Sequence, residues 1–470
     1  MAAPEANSQN ASFRDPGGRV FRSAGRIFRA VHSDASLTLD EFLKTDISAK
    51  LQRDGSLAAT WQPASLPSDL ENLQTRVVEH QPVSFPSYPA EWCPEMLVSV
   101  ASLTLDLCEA LLPLGWGLKD ATPYNVLFEG PNPVFIDLLS FEQRDPKDPA
   151  WTPYGQFIRT FLLPLMANRD LGYSMRQIWL ENRDGLDPER IYPWLPLLRR
   201  FSRPALGLVT LPAMMTKKAG GSNVTPRSQA MPPDQATYVL NSLFRGLRAD
   251  LRRLAPSHPP ESHWSDYADT LTHYDSTQRA GKEAFVRKSL AAASPQWTLD
   301  MGANTGQFSE IAAEISKVVA VDYDVASVAR IYRRAQAKKL NILPLCLDAC
   351  RPTPGTGWRN LEQPSFLSRC AGRFDMVMML AVIHHMLVSE RVSIDDIVGL
   401  AADLTTDHLI IEYVGPEDPM FKILLRGRDA LHAGFSSAVF EEALRKRFVI
   451  VELHPVTGMD RILYHARLIH

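Results

Sequence analysis

The chain has 470 residues, 45% of them hydrophobic and 22% charged, with a formal net charge of −3. That length exceeds one ordinary core and asks for two domains in a soluble globular protein. The charge balance gives no case for nucleic acid or an anionic membrane as the main partner.

The opening 18 residues, "MAAPEANSQNASFRDPGG", contain no apolar core and cannot serve as a signal peptide. A disordered tail is expected over 1–18. No apolar run is read as reaching the roughly 18 residues of a membrane span. The five cysteines, Cys93, Cys108, Cys346, Cys350 and Cys370, form no CxxC pair, and Cys346 with Cys350 lacks the second ligand pair of a zinc site. Free thiols in a reducing cytoplasm are the expectation.

Residues 19–254 read as a first domain. "RVFRSAGRIFRAV" alternates apolar and basic residues about Ala-Gly, a β-hairpin pattern, and "RVVEHQPVSF" supplies a further strand. Helical periodicity then runs from about Glu95 to Leu112. "GLKDATPYNVLFEGPNPVFIDLLSFE" follows as a loop and two short strands, and residues 154–254 are helical between Pro-rich turns. An exposed loop is expected over 216–235, and a linker over 255–275 that contains "APSHPPESHW". Residues 276–470 alternate apolar strands with amphipathic helices. That predicts a parallel α/β sheet covered on both faces. The last two strands have no helix between them and should pair as an antiparallel hairpin.

Two constellations carry chemistry. In the first domain, Asp120, Asn125 and Asp137 have the spacing of a phosphotransferase base and its two metal ligands. Together with the long preceding helix, this predicts an α+β kinase-like domain able to take Mg²⁺ and ATP. Several parts are missing. Leu118 and Lys119 precede Asp120 where a histidine is usual, no glycine follows Asp137, and there is no G-x-G-x-x-G loop and no clear phosphate lysine. Arg22 or Arg29 is the candidate to replace that lysine. The bland alternative is that Asp120 and Asn125 only tie a turn together. The expectation is a loop that keeps the shape of such a site without being the main engine, its two carboxylates within roughly 8 Å of each other.

In the second domain, Asp300-Met-Gly302-Ala-Asn304-Thr-Gly306 lies between a strand and a helix. The glycines allow a sharp bend and close approach to a ligand. Asp322 ends the next strand, where a carboxylate can hold both hydroxyls of a ribose, and Asp348 ends the third, beside the place of an adenine. A nicotinamide cofactor is the rival. The GxNxG turn, three strand-ending acids and the closing hairpin favour S-adenosylmethionine.

On these residues the stretch from Leu299 onward resembles the class I S-adenosylmethionine-dependent methyltransferases. Within them it most resembles the NoeA-like nodulation-protein family, through "PTPGTGWRNLE", "LAVIHHM", "IIEYV" and "RILY". The first half carries "SYPAEW", "LKDATPYN" and "VFIDLLSFE" of the same family. The resemblance implies a Rossmann-like class I methyltransferase sheet over 276–470, appended to the first domain. By position, Asp300, Gly302, Asn304 and Gly306 would frame the methionine end of the cofactor. Asp322 would hold the ribose, Asp348 would face the adenine amine, and Leu380 and Ala381 would pack near the adenine or sulfonium.

His384 and His385 follow the fourth strand, where a base for a hydroxyl acceptor is needed; the alternative is a cap or a packed ring. Trp358, Glu412 and Arg461 either line the acceptor pocket or are structural. The acceptor is expected to be a small molecule or saccharide, with O-methylation favoured. The alternatives are a bifunctional kinase-methyltransferase, or a first domain that docks a carrier or partner protein.

Overall fold

The computed structural model describes residues 12, 14–68, 70–71, 73–218, 229–256, 276–425 and 434–470. The chain divides into two compact units, Met1–Ser257 with Gly355–Gln363, and His258–Pro354 with Pro364–His470. The expected tail over 1–18 and the linker over 255–275 fall mostly outside the described residues; half of the expected loop over 216–235 does too, while its ends, residues 216–218 and 233–235, are helical rather than loop.

In the first unit, β1 (Gly18–Ser23) and β2 (Arg26–Val31) form the expected hairpin, turning through Ala24 and Gly25 at positive φ. With β3 (Thr60–Trp61) and β4 (Arg76–His80) they make an antiparallel sheet of order β1-β2-β4-β3. Phe28, Ala30, Leu70 and Val77 form its apolar core. The helix Pro94–Leu111 buries Met96, Leu97, Val100, Ala101, Leu105 and Cys108, so it is hydrophobic nearly all round. That corrects one expectation: Pro94–Leu114 is long and apolar enough to cross a membrane by length and composition. More than half of that window is buried inside the protein, however, as for a core helix.

After this helix, β5 (Trp116–Leu118) leads into the loop that carries Asp120 and Asn125. The hairpin of β6 (Val126–Glu129) and β7 (Asn132–Phe135) follows, and then β8 (Phe141–Gln143) returns to pair with β5. Residues Gly355–Gln363 also belong to this unit. Their Glu362 accepts from Arg14 Nε at 2.7 Å and lies 3.2 Å from Arg183. Trp358 lies in this segment, 64% exposed, its backbone amide donating to Glu362 at 2.8 Å.

The second unit is one seven-stranded sheet of order β11-β10-β9-β12-β13-β15-β14. Its strands are β9 (Trp297–Met301), β10 (Lys317–Asp322), β11 (Ile342–Cys346), β12 (Phe374–Met379), β13 (Thr405–Val414), β14 (Phe448–Pro455) and β15 (Arg461–Leu468). Strands β9 to β13 pair in parallel, while β15 runs antiparallel to both of its neighbours. Central strands such as "KVVAVD" are buried almost throughout, because helices cover both faces. After the buried Phe448, β14 alternates exposed and half-buried positions, as an edge strand does. Of the five cysteines, Cys93, Cys108 and Cys370 are buried and Cys346 and Cys350 half-buried.

Candidate functional site

The turn between β9 and the helix Gln307–Ala313 is shaped by two glycines in the left-handed region, Gly302 at φ +77° and Gly306 at φ +83°. A β-carbon at Gly302 would stand 3.0 Å from Val382 Cβ, and one at Gly306 would stand 2.8 Å from Ile331 Cγ1. The turn thus packs directly on the segment after β12, and Gly302 touches the stretch that carries Leu380, Ala381 and His384. Leu380 is buried, and Ala381 itself adopts φ +52°.

The amides of this turn face inward. Those of Gly302 and Ala303 donate to the Val321 carbonyl (2.8 and 3.0 Å), that of Gly306 to the Ala303 carbonyl (2.9 Å), and that of Asn304 to Asp322 Oδ2 (2.7 Å). A pyrophosphate needs a row of free amides at such a turn, and four of these are already engaged. The side-chain Oδ1 of Asn304, by contrast, is buried with no hydrogen-bond partner among the described residues.

Asp322 lies at the tip of β10, 9% exposed. Its oxygens accept from the backbone amides of Asn304, Tyr323 and Asp324, which still leaves a carboxylate with acceptor capacity. Burial pushes its carboxyl up to about 6 against those bonds. Asp300 is different. It is buried within β9 and accepts from Ser309 Oγ at 2.6 Å, and burial again raises it to about 6. Its carboxylate thus ties β9 to the helix that follows the turn. Asp348 turns its carboxylate to its own loop, accepting from the Cys350 amide (2.9 Å) and Arg351 Nε (2.8 Å). Tyr323 was not singled out in the sequence. It stands 59% exposed between Asp322 and Asp324, and the charges of Asp322, Asp324 and Asp348 all bear on its hydroxyl.

His384 is 2% exposed, and neither ring nitrogen has a hydrogen-bond partner among the described residues. Burial, then the neighbouring His385, Arg461 and Lys282, hold it well below the ordinary histidine value. His385 is less buried and is lowered to about 4. Both rings are neutral near pH 7, and a neutral imidazole can accept a proton.

Behind them lies a buried charged group that sequence reading identified only in part. Lys282 Nζ lies 2.5 Å from Glu412, and Arg461 Nε lies 2.7 Å from Asp418 and its Nη1 3.5 Å from Glu412. All four are at most 5% exposed. Glu412 and Arg461 thus serve each other and their partners first. No local signal marks Lys282 or Asp418, since their partners are 130 and 43 residues away.

In the first unit, Asp137 accepts from Arg29 at 2.8 Å, Ser140 Oγ at 2.6 Å and the Leu139 amide at 3.3 Å. Burial opposes its ionisation, but Arg29 and Ser140 outweigh that and keep the carboxyl below its ordinary value. Of the two candidate arginines, Arg29 is the one that reaches this site, and it also contacts Asp15 at 3.2 Å. Asn125 Nδ2 donates to Ser140 Oγ at 3.2 Å. Asp120 is raised by burial and then by the Asp137 charge, so the two carboxylates share one neighbourhood. Among the described residues, no group of three or more His, Cys, Asp or Glu could hold a metal ion. Arg29 already occupies one oxygen of Asp137.

No protein-family model matches the chain. The nodulation protein NoeA of Rhizobium meliloti strain 1021 is 31% identical over 476 residues, covering 98% of this chain and 96% of that protein. The N-methyltransferase NodS from Bradyrhizobium japonicum WM9 is 14% identical with a TM-score of 0.31, over 42% of this chain and 99% of that one. The magnesium protoporphyrin IX methyltransferase ChlM from Synechocystis PCC 6803, with bound SAH, is 16% identical with a TM-score of 0.31, over 44% and 97%. The bifunctional kinase-methyltransferase WbdD is 16% identical with a TM-score of 0.30, over 44% and 42%. Scores this low make none of the three structures a guide to activity.

Proposed function

We propose that this chain, which belongs to the NoeA nodulation-protein family, is an S-adenosylmethionine-dependent methyltransferase acting on a small-molecule or saccharide acceptor. The observation that carries this reading is the turn after β9. Its amides are used internally, which disfavours a pyrophosphate-bearing nicotinamide cofactor, while Asp322 and the unpartnered Asn304 Oδ1 keep acceptor capacity. Asp322 would hold the ribose hydroxyls. Asn304 and the Gly302–Gly306 backbone would border the methionine end, Asp348 and Tyr323 the adenine side. S-adenosylmethionine would supply an electrophilic methyl group.

The chain's own residues would do the rest. Val382 against Gly302 fixes the segment after β12 to the turn, and positioning of this kind provides much of the rate in a displacement. Neutral His384 is the candidate base for an acceptor hydroxyl, with His385 the second candidate, which favours O-methylation. The Lys282–Glu412–Arg461–Asp418 group holds the floor rigid behind them.

For residues 19–254 the reading is a kinase-like domain that binds a substrate, carrier or partner. The placing of Arg29 on Asp137 supports binding over phosphoryl transfer. One observation favours the bifunctional alternative: Asp120 lies in the field of Asp137, as a base and a ligand would. ATP turnover with Mg²⁺ decides between them. For the methyltransferase reading, calorimetry should find that S-adenosylhomocysteine binds the wild type and binds Asp322→Ala far more weakly. Equal binding by both, or tighter binding of a nicotinamide dinucleotide, would sink it.

A further inference from the structure

One stretch of the first unit carries charge of a single sign. From Arg190 to Pro233 the sequence holds seven lysines and arginines and no aspartate or glutamate. Its described part begins in the second half of the helix Pro188–Ile191, just after the exposed acid Glu189, and continues as the short segments Leu197–Arg200, Leu206–Thr210 and Leu211–Lys218. The inner side is ordinary core, with Ile191, Leu195, Leu208 and Val209 buried. Hydrogen bonds fix the segments to one another: Thr210 Oγ1 donates to the Arg200 carbonyl and Thr216 Oγ1 to Glu189, both at 2.7 Å.

The outer side is unlike the surface of a protein that meets only water. Trp194 is 46% exposed, Leu197 68%, Leu198 87%, Phe201 66% and Met215 69%. Four of the five fall within eight residues. Scattered exposed apolar residues need no explanation, but a contiguous set of large ones marks an interaction face. Arg199 and Arg203 are interleaved with them, both exposed, and neither forms an ion pair with a described carboxylate.

We propose that this face docks on the surface of a bilayer containing anionic phospholipid. The charge pattern selects that occupant. A folded protein partner presents charges of both signs at fixed places, and a complementary face would carry acids as well as bases. A continuous anionic sheet asks only for bases, and it has an apolar layer beneath for leucine and phenylalanine. Arginine can keep its head at the headgroups while its stem lies along apolar neighbours, and tryptophan suits the same boundary. The near-neutral charge of the whole chain conceals this patch because its acids lie elsewhere in the sequence. The docking is peripheral and requires no spanning helix.

The test is flotation of the full chain with vesicles, comparing phosphatidylcholine mixed with phosphatidylglycerol against phosphatidylcholine alone. The wild type should float with the mixed vesicles, be released by added salt, and bind phosphatidylcholine vesicles about tenfold or more weakly. L198S/F201S should lower binding to the mixed vesicles by about tenfold or more, and R199E/R203E should do the same while abolishing the salt dependence. All four positions are exposed, so both variants should keep the wild-type circular dichroism spectrum and melting temperature. A wild type that does not float with the mixed vesicles overturns the proposal. So does undiminished binding by both variants. If sedimentation velocity finds a dimer that L198S/F201S converts to monomer, with no vesicle binding, a second copy of the chain covers the face and the proposal fails.

Discussion

Gly306 offers the sharpest test of how the turn after β9 is built. Its φ is +83°, and a β-carbon there would meet Ile331 Cγ1 at 2.8 Å and Cδ1 at 3.3 Å. Gly306→Ala therefore carries two separable costs. The left-handed conformation costs a residue with a β-carbon about 1–2 kcal/mol. Pressing that carbon into Ile331, itself 2% exposed, costs about 1–3 kcal/mol more. The loss should total about 2–5 kcal/mol. Ile331→Ala alone should cost about 2–5 kcal/mol through its cavity. In the double variant the clash is gone and the backbone strain remains, so the double should be more stable than additivity predicts by about 1–3 kcal/mol. Urea denaturation of all four proteins measures this. Calorimetry with S-adenosylhomocysteine reads the site itself: Gly306→Ala should weaken binding about tenfold or more, and Ile331→Ala should not restore it fully, because the strain persists. Strict additivity would refute the packing argument, and unchanged affinity would refute the placing of the cofactor at this turn.

Four further outcomes are expected. Lys282→Met removes the 2.5 Å cationic partner of the fully buried Glu412 and should lose about 3–5 kcal/mol in urea denaturation; a neutral result would mean that the pair is not buried. Asp300 is raised to about 6 from an ordinary 3.8, so the folded protein binds more protons than the unfolded chain between these values. Its contribution to stability is full below the lower value and is lost as pH rises through the upper one. Asp300→Asn should therefore flatten that part of the pH–stability curve and gain about 1–3 kcal/mol near pH 7 relative to wild type, and an unaltered curve would contradict this. His384→Asn should keep cofactor affinity while methyl transfer falls about 10²–10⁴-fold; full activity there and in His385→Asn would remove both as bases. Arg29→Met should raise the Asp137 carboxyl, lower stability near pH 7 and make stability fall less steeply as pH drops through the carboxyl range, and an unchanged pH–stability slope would mean that the pair contributes nothing.

What the sequence made legible follows from range. Strands such as "KVVAVD" and helices such as Ser276–Ala293 are specified by neighbours a few residues apart, so their order could be read directly. The turn from Asp300 to Gly306 was equally local. The individual roles within it were less so: Asp300 and Asp322 look alike as strand-ending acids, yet one accepts from Ser309 on the helix after the turn and the other from the Asn304 amide within it. Long-range pairings left no trace. Lys282 sits in an ordinary amphipathic helix, and nothing near it points to Glu412. Arg29 and Asp137 are 108 residues apart, so spacing alone could not choose between Arg29 and Arg22. Trp358 was read with the strands around it, but Glu362, Arg14 and Arg183 hold its segment in the first unit.

The position of β15 also bears on how this sheet is assembled. Arg461–Leu468 lies between β13 and β14 and bonds to both, in the opposite direction. Until that segment has been synthesised, β13 has an unpaired edge in the middle of the future sheet, and β14 has no partner. Arg461 is also the residue that neutralises Asp418, so that carboxylate waits in the interior for a cation made 43 residues later, whereas Glu412 already has Lys282 from earlier in the chain. The second unit should therefore fold late and all at once. Nascent chains stopped before Arg461 should expose an apolar strand edge that invites pairing with another chain. Chains stopped after Leu468 should resist proteolysis, and a graded rise in resistance with length would show that the strands lock one by one instead.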